Sequence, residues 1–294
     1  MTLAKLITLI INLSLALLVF GIGLAAVPGS IRSLATRPGL LARSLLAMNV
    51  IMPVLAVLLA LVGGLEPALL AAFITLAVSP VPPFLPGRML KAGGTPTFAV
   101  GLTAITALLA IGIVPLSVAL LRPILGPGAH LAPPLVSNVV LTSVLLPLLA
   151  GMLLHRLRPR LASRLARPVL RTATIVLAVA SLPLLVKVGP AMWHLVGDFT
   201  LVAIVAFVLV GLAVGHALGG PAAADRTVLA LSTSTRHPGV ALAITHAAFP
   251  DRPRITAAIL LYVIVGAIAA TPYARSRKHA HAAARRDRPT SSDG

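Results

Sequence analysis

The segment 229–245, which reads LALSTSTRHPGVALAIT, carries an arginine, a histidine and a proline inside an apolar stretch of membrane-spanning length. A charged side chain in the middle of a bilayer costs about 2.5–3.5 kcal/mol on insertion scales unless it faces a cavity or a partner. Pro238 has no backbone N–H and clashes with the carbonyl four residues earlier, so the helix is predicted to open near Ser234. Transporters form substrate sites from polar groups at such breaks. The pattern therefore predicts a binding site around Arg236 and His237.

A second break is predicted in the segment 76–87, which reads LAVSPVPPFLPG. Its four prolines, Pro80, Pro82, Pro83 and Pro86, each remove a helical hydrogen bond. The carbonyls that they leave free must be buried in protein or line water. Both segments place a serine, Ser79 or Ser232, at the same point of a small-apolar-Ser pattern, and both close on Pro-Gly. From the sequence, the alternative of two ordinary proline kinks stays open.

Arg236 is the candidate anion ligand. Its guanidinium is a fixed positive charge with a planar set of donors that suits a carboxylate, a sulfonate or a phosphate. The alternative is that Arg236 snorkels, or stabilises the carbonyls of the broken helix without contacting substrate. His237 also has two interpretations: it couples transport to protons by titrating near neutral pH, or it is hydrogen-bonded for structural reasons.

The hydroxyl run 232–235 likewise has two interpretations. Serine and threonine can supply ligands, or they can donate hydrogen bonds back to carbonyls of their own helix. Because the run ends at the break, we expect it to line the site. The predicted substrate-binding residues are Ser79, Pro82, Ser234, Thr235, Arg236 and His237.

The composition requires lipid as the solvent of this chain. Of 294 residues, 58% are hydrophobic and only 10% are charged, whereas soluble domains are about a quarter charged. Windows of about 20 apolar residues qualify as spanning helices. About nine are predicted, at 6–27, 41–62, 68–89, 97–120, 133–154, 172–190, 199–219, 227–248 and 254–273. We therefore expect an all-α integral membrane protein with one transmembrane domain, residues 1–273, and a basic, disordered tail, residues 274–294.

The two breaks lie five predicted spans apart, so they enter the bilayer from opposite sides, as inverted repeats require. Repeat one would cover about 6–120 and repeat two about 133–273, with the fifth span unpaired. The basic stretch 158–171 is predicted to be an interfacial helix on the cytoplasmic face.

The net charge of +18 follows membrane topology and does not indicate nucleic-acid binding. If the N-terminus lies outside, most cations fall on the cytoplasmic side, which is the positive-inside rule for an odd number of spans. These cations are Arg32, Arg37, Arg88, Lys91, the run 156–171 and those of the tail. We expect a multi-pass protein of a bacterial inner (plasma) membrane, with its C-terminus in the cytoplasm and its basic loops against anionic lipids.

Three segments, TRHPGVALAIT, SPVPPFLPGRMLKAGG and FGIGL, together resemble the bile acid:sodium symporter family, and more closely a bacterial branch of it. The resemblance covers nearly the whole chain in order and spacing. It implies a core of inverted five-helix repeats, here without the first helix. It also implies two discontinuous helices that cross at the midplane, and a cavity for amphipathic or organic anions.

The sodium ligands of that family do not carry over well. Positions that hold its acidic, amide and hydroxyl ligands are occupied here by Leu85, Pro86, Ala99, Ser232, Arg236 and His237. Thr103 keeps the family's threonine, and no acidic residue lies inside a predicted span. Sodium coupling is therefore doubtful, and Arg236 is proposed as the built-in cation. If a sodium site survives through backbone carbonyls, its candidate ligands are Thr103, Ser232 and Thr233.

The leading functional prediction is a secondary transporter of a small organic anion that works by alternating access. An intramembrane enzyme is excluded because it would need paired carboxylates or a metal motif inside the membrane. The chain has no cysteine, and no cofactor is expected. Two alternatives stay open: a sodium- or proton-coupled symporter that uses backbone carbonyls and His237, and a membrane sensor that binds an anion without transporting it. The oligomeric state is not predicted.

Overall fold

The computed structural model of the chain describes residues 3–25, 28–125, 137–138, 140–196, 199–248 and 253–286. These residues form helices and connecting turns, and no strand occurs among them. The first half contains α1 (Leu3–Ala25), α2 (Pro28–Ala35), α3 (Pro38–Leu46), α4 (Met52–Val62), α5 (Pro67–Val78), α6 (Leu85–Lys91) and α7 (Pro96–Leu125). A π-helical turn, Ala47–Ile51, joins α3 to α4 without a break.

The second half begins with a π-helical turn, Leu141–Leu145, which leads into α8 (Leu146–Leu157). Then follow α9 (Pro159–Val196), α10 (Phe199–Leu218), α11 (Ala223–Ser234), α12 (Pro238–Ala248), α13 (Pro253–Ala269) and α14 (Thr271–Arg286). Many helices start on a proline, whose missing N–H belongs to a turn that has no intrahelical acceptor anyway. The same residue type that breaks a helix therefore also fixes where the next one begins.

The helices form two groups. Helices α1, α8 and α9 pack on one another, and we call them the three-helix layer. Helix α5 lies among α4, α7, α12 and α13, and α10 packs along α11. A Cβ on Gly215 of α10 would lie 2.5 Å from the Cα of Ala230 in α11. Glycine in α10 thus lets the two backbones touch, as small residues do between membrane helices.

The surface suits lipid rather than water. Large apolar side chains stand exposed along α9, among them Val179, Val186 and Trp193, and exposed apolar patches of this extent are unusual on soluble monomers. Five described helices are long and apolar enough to cross a membrane, and six if the bent pair of α1 and α2 counts as one span. Two shorter apolar helices cover Pro67–Val78 and Leu141–Leu157. The protein is therefore an all-α membrane protein.

The count of nine spans and the inverted repeats stay predictions. Each broken span is divided into helices that are individually too short to cross a membrane, for example the 12-residue α5 and the 7-residue α6. Part of the predicted fifth span, 133–136, lies outside the described residues.

The predicted interfacial helix 158–171 is wrong as a separate element. Helix α9 runs unbroken for 38 residues through this stretch and the predicted sixth span. The reason is packing: Ala162 and Ala166 are buried against Leu24 at the end of α1. The basic stretch is therefore continuous with the predicted sixth span and packs on α1.

The tail 274–294 was predicted to be disordered, and this is wrong as far as Arg286, where α14 ends. Arg277 anchors α14 to the start of α11, because its Nε donates to the Thr227 hydroxyl at 3.0 Å and its Nη2 to the Ala223 carbonyl at 3.2 Å. Residues 287–294 lie outside the described part of the chain.

Candidate anion-transport site at two broken helices

The two predicted breaks exist and touch each other. Helix α5 ends at Val78 and α6 begins at Leu85, so the first break is the stretch 79–84. Helix α11 ends at Ser234 and α12 begins at Pro238, so the second break is the stretch 235–237. The backbone N–H of His237 donates to the carbonyl of Pro80 at 3.0 Å. Each break thus satisfies backbone groups that the other leaves open.

Arg236 reaches from the second break to two other elements. Its side chain is 1% exposed, and its Nη2 donates to the Met48 carbonyl at 2.5 Å. Its Nη1 lies 3.4 Å from the carbonyl of Ser79 in the first break. The guanidinium therefore ties the π-helical turn to both breaks.

Prolines explain why these carbonyls are available. In the π-helical turn, the Met52 N–H donates to the Ala47 carbonyl, five residues earlier. With the same spacing, the donor for the Met48 carbonyl would be the N–H of residue 53. That residue is Pro53, which has no N–H. Pro83 in the same way leaves the Ser79 carbonyl without its helical donor. The sequence-level alternative, in which Arg236 stabilises carbonyls of the broken helix, describes its observed contacts.

Tyr262 of α13 closes the second break. Pro238 deprives the Ser234 carbonyl of its helical donor, and the Tyr262 hydroxyl donates to that carbonyl at 2.9 Å. The same hydroxyl accepts the backbone N–H of Arg236 at 2.8 Å. Phe207 packs edge-on against the Tyr262 ring at 6.0 Å between centroids. The sequence analysis missed this residue, because nothing in the local pattern of α13 marks a tyrosine as the partner of a distant break.

His237 has a structural contact. Its Nδ1 accepts the backbone N–H of Val240 at 3.3 Å, which caps the start of α12. This leaves the proton on Nε2, an atom that is buried and makes no hydrogen bond within the described chain.

Most hydroxyls of the predicted site donate into their own helices. Ser232 bonds to the carbonyl of Val228 at 2.9 Å, and Thr233 bonds to that of Leu229 at 2.8 Å. The other such bonds are Ser234 to Leu231, Ser79 to Thr75, and Thr103 to Ala99. Pro82 is buried in the first break. Among the described residues, no hydrogen bond joins Thr103 to either break.

The acidic residues that the structure describes are engaged far from the breaks. Asp225, which is 2% exposed, lies 2.6 Å from Arg37 and accepts the Thr95 hydroxyl at 2.7 Å. Glu66 pairs with Arg254 at 2.9 Å. Each pair joins residues that the predicted topology puts on the same side of the membrane. The charge of Arg236 is thus held by carbonyl dipoles, with no carboxylate among its described contacts.

A wide crevice that is open to the surface lies between the three-helix layer and the first break. Its volume is about 900 Å³, and its walls come from α1, α6, α7, α9 and the end of the first break. Three cations line it, namely Lys91, Arg167 and Arg171. We call this cavity the basic crevice. The sequence analysis read these cations only as topology signals. The i, i+4 spacing of Arg167 and Arg171 could have shown that they share one face of a helix.

Fold and site together define a multi-pass helical membrane protein in which two broken helices meet inside the bundle, an arrangement typical of secondary transporters. The model of the Sodium Bile acid symporter family matches residues 12–189, more than half of the chain, and the protein belongs to this family. The matched part includes the first break and ends before the second. The family predicted from the sequence is thereby confirmed, and the bacterial branch that the RHPG motif suggested stays a prediction. No curated protein sequence matches the chain.

Membership indicates a symporter-like transporter, since proteins of this family are transporters and not enzymes. It also indicates an organic anion as the class of substrate.

Proposed function

We propose that the protein is a secondary transporter that carries a small organic anion by alternating access and binds it in the basic crevice. The observation that carries this proposal is the crevice itself, with three cations around about 900 Å³ of space. Pockets of about 300–1,000 Å³ suit small molecules, and apolar walls with a few polar groups give both affinity and orientation. The apolar part of this lining includes Ile22, Phe84 and Ile175.

The position of the crevice supports alternating access. Its walls come from the three-helix layer on one side and from α6, α7 and the first break on the other, so sliding one side against the other would open or close it. In the predicted topology Lys91, Arg167 and Arg171 lie on the cytoplasmic side, and the crevice would open to the cytoplasm. The N-out, C-in orientation on which this rests is itself part of the proposal.

We propose further that transport does not use sodium. Sodium, a hard cation, prefers oxygen ligands with negative charge nearby, and no acidic residue in the described part of the chain lies at the breaks. The Met48 and Ser79 carbonyls accept hydrogen bonds from Arg236, and the candidate hydroxyls of Thr103, Ser232 and Thr233 donate into their own helices. A hydroxyl that donates its proton still has lone pairs for a cation, so the lack of a carboxylate among the described residues at the breaks is the observation that argues against a sodium ion. Arg236 supplies a permanent positive charge that holds the two breaks together.

This assignment changes the role of Arg236. The predicted substrate ligand is nearly enclosed by protein, and its two Nη atoms point to carbonyls. In the proposal, Arg236 is a positioning residue for the breaks, and Arg167 and Arg171 contact the substrate.

A binding and transport experiment tests the proposal. The full-length protein is purified and its melting temperature is measured with choline salts of cholate, of a small dicarboxylate and of an aryl sulfonate at matched ionic strength. The anion that stabilises most is then used in counterflow assays in proteoliposomes, with and without sodium. We expect saturable stabilisation, and counterflow that does not change when choline replaces sodium.

Two double variants provide the matched comparison. Arg167→Gln/Arg171→Gln should abolish stabilisation and counterflow. Arg160→Gln/Arg164→Gln removes the same charge from exposed positions of the same helix that do not line the crevice, and it should leave both unchanged. Equal effects of the two variants would refute the crevice as the site. Binding without counterflow would mean a sensor, and counterflow that requires sodium would mean a symporter with a sodium site elsewhere.

A further inference from the structure

A second, smaller cavity lies on the other side of α6 from the basic crevice. It has a volume of about 70 Å³, is partly open, and is bordered by α6, the second break and α13. Its polar lining consists of Arg88, Ser234, Thr235, Arg236 and Tyr262. Phe84 lines both cavities, so the two lie close to each other.

The donors around this cavity are not saturated. Arg236 Nε is buried and has no hydrogen-bond partner within the described residues. The side chains of Arg88 and Thr235 make no hydrogen bond or ion pair in the part of the chain that the structure describes, although both residues line the cavity. No acidic residue is among the lining residues. Arg88, Thr235 and Arg236 therefore border one small space whose lining contains no acidic residue.

A counter-charge near Arg236 would stabilise its buried guanidinium. A buried charge loses several kcal/mol of hydration, and dipoles compensate this only when their number and geometry are good. Arg236 receives two carbonyls, while its third nitrogen has none. The carboxylate of Asp225 is held by Arg37 and Thr95, so it does not serve Arg236.

The size of the cavity selects the anion. A water molecule takes about 30 Å³ in the liquid, so the cavity has room for one or two small ions or molecules. A halide or nitrate fits this volume. Arginine and hydroxyl donors are suitable ligands for such an ion, because charge-assisted hydrogen bonds are strong in an enclosed site.

We propose that this cavity is a binding site for a small monovalent inorganic anion, with chloride as the probe, held between Arg88, Arg236 and Thr235. The bound ion neutralises the charge at the second break and joins α6, the second break and α13. The site is separate from the basic crevice, and it does not depend on the proposed transport activity.

The test is the thermal stability of the purified full-length protein in choline chloride, choline nitrate and choline gluconate at matched ionic strength. Gluconate is too large for the cavity. We expect a saturable increase in melting temperature with chloride or nitrate, about 3 °C at ten times the dissociation constant. No organic substrate is present, so failure of the transport proposal would not affect this result.

Three variants make the test specific. Arg88→Gln and Thr235→Val should fold, because these residues are only partly buried, and they should lose the chloride-dependent increase. Arg160→Gln removes one charge from an exposed position that lines neither cavity, and it should keep the increase. No difference between chloride and gluconate would overturn the proposal, and so would an equal chloride effect in Arg88→Gln. Competition between chloride and the transported organic anion would overturn it as a separate site.

Discussion

The substitution Tyr262→Phe isolates one hydroxyl on which the second break depends. In the structure this hydroxyl accepts the Arg236 N–H at 2.8 Å and donates to the Ser234 carbonyl at 2.9 Å. Phenylalanine keeps the ring and its edge-on packing against Phe207, so the change removes two hydrogen bonds and little apolar contact. Both backbone groups would stay buried.

The expected magnitude follows from those two groups. A buried donor or acceptor without a partner costs about 1–3 kcal/mol, so two of them lower the free energy of unfolding by about 2–6 kcal/mol. Water or a small shift of the chain would bring the value toward the lower end. We expect a loss of at least about 2 kcal/mol, measured by reversible unfolding in mixed detergent micelles and followed by circular dichroism.

The other tyrosine provides the control. Tyr273 has a hydroxyl bonded to Nδ1 of His216 at 2.8 Å, but this residue is only half-buried, so water can replace the bond. Tyr273→Phe should therefore change the free energy of unfolding by less than about 1 kcal/mol. If Tyr262→Phe is no more destabilising than Tyr273→Phe, the interpretation of Tyr262 as the support of the break is wrong.

Two further predictions concern packing and charge. Gly215→Val would place a Cβ 2.5 Å from the Ala230 Cα, so it should lower the melting temperature and the yield of folded protein. Gly112→Val, whose Cβ would meet nothing within 4 Å, should change neither. Similar yields of the two variants would contradict the close contact. Asp225→Ala removes a buried carboxylate with two donors and should lower the free energy of unfolding by about 2–3 kcal/mol. Arg254→Ala at an exposed ion pair should cost under about 1 kcal/mol in the same unfolding assay, and equal losses would show that burial of Asp225 does not matter.

The helix breaks could be predicted from sequence because their cause is covalent. A proline has no N–H wherever the chain folds, so Pro83 and Pro238 had to leave carbonyls free near Ser79 and Ser234. The lipid environment could be predicted for a similar reason, since it depends on composition and not on contacts. The family resemblance rested on motifs around these same prolines.

The partners of the freed groups could not be predicted, because they come from elements far along the chain. Arg236 donates a hydrogen bond to the carbonyl of Met48, which is 188 positions away in the sequence, and Tyr262 donates one to that of Ser234, which is 28 positions away. Periodicity reports which residues share a helix face, but not which faces meet. For the same reason the basic stretch within α9 was taken for an interfacial helix, although Ala162 and Ala166 pack against α1.

The sequence by itself determined that this chain is embedded in a lipid bilayer, that two of its helices are broken by proline, and that a cation lies at the second break. Only the tertiary structure decided that this cation is enclosed by carbonyls and that Arg167 and Arg171 face a crevice large enough for a substrate. The physical reason is that the first set of facts follows from local covalent chemistry and hydropathy. The second depends on how two groups of helices pack, which brings together residues that no local pattern connects.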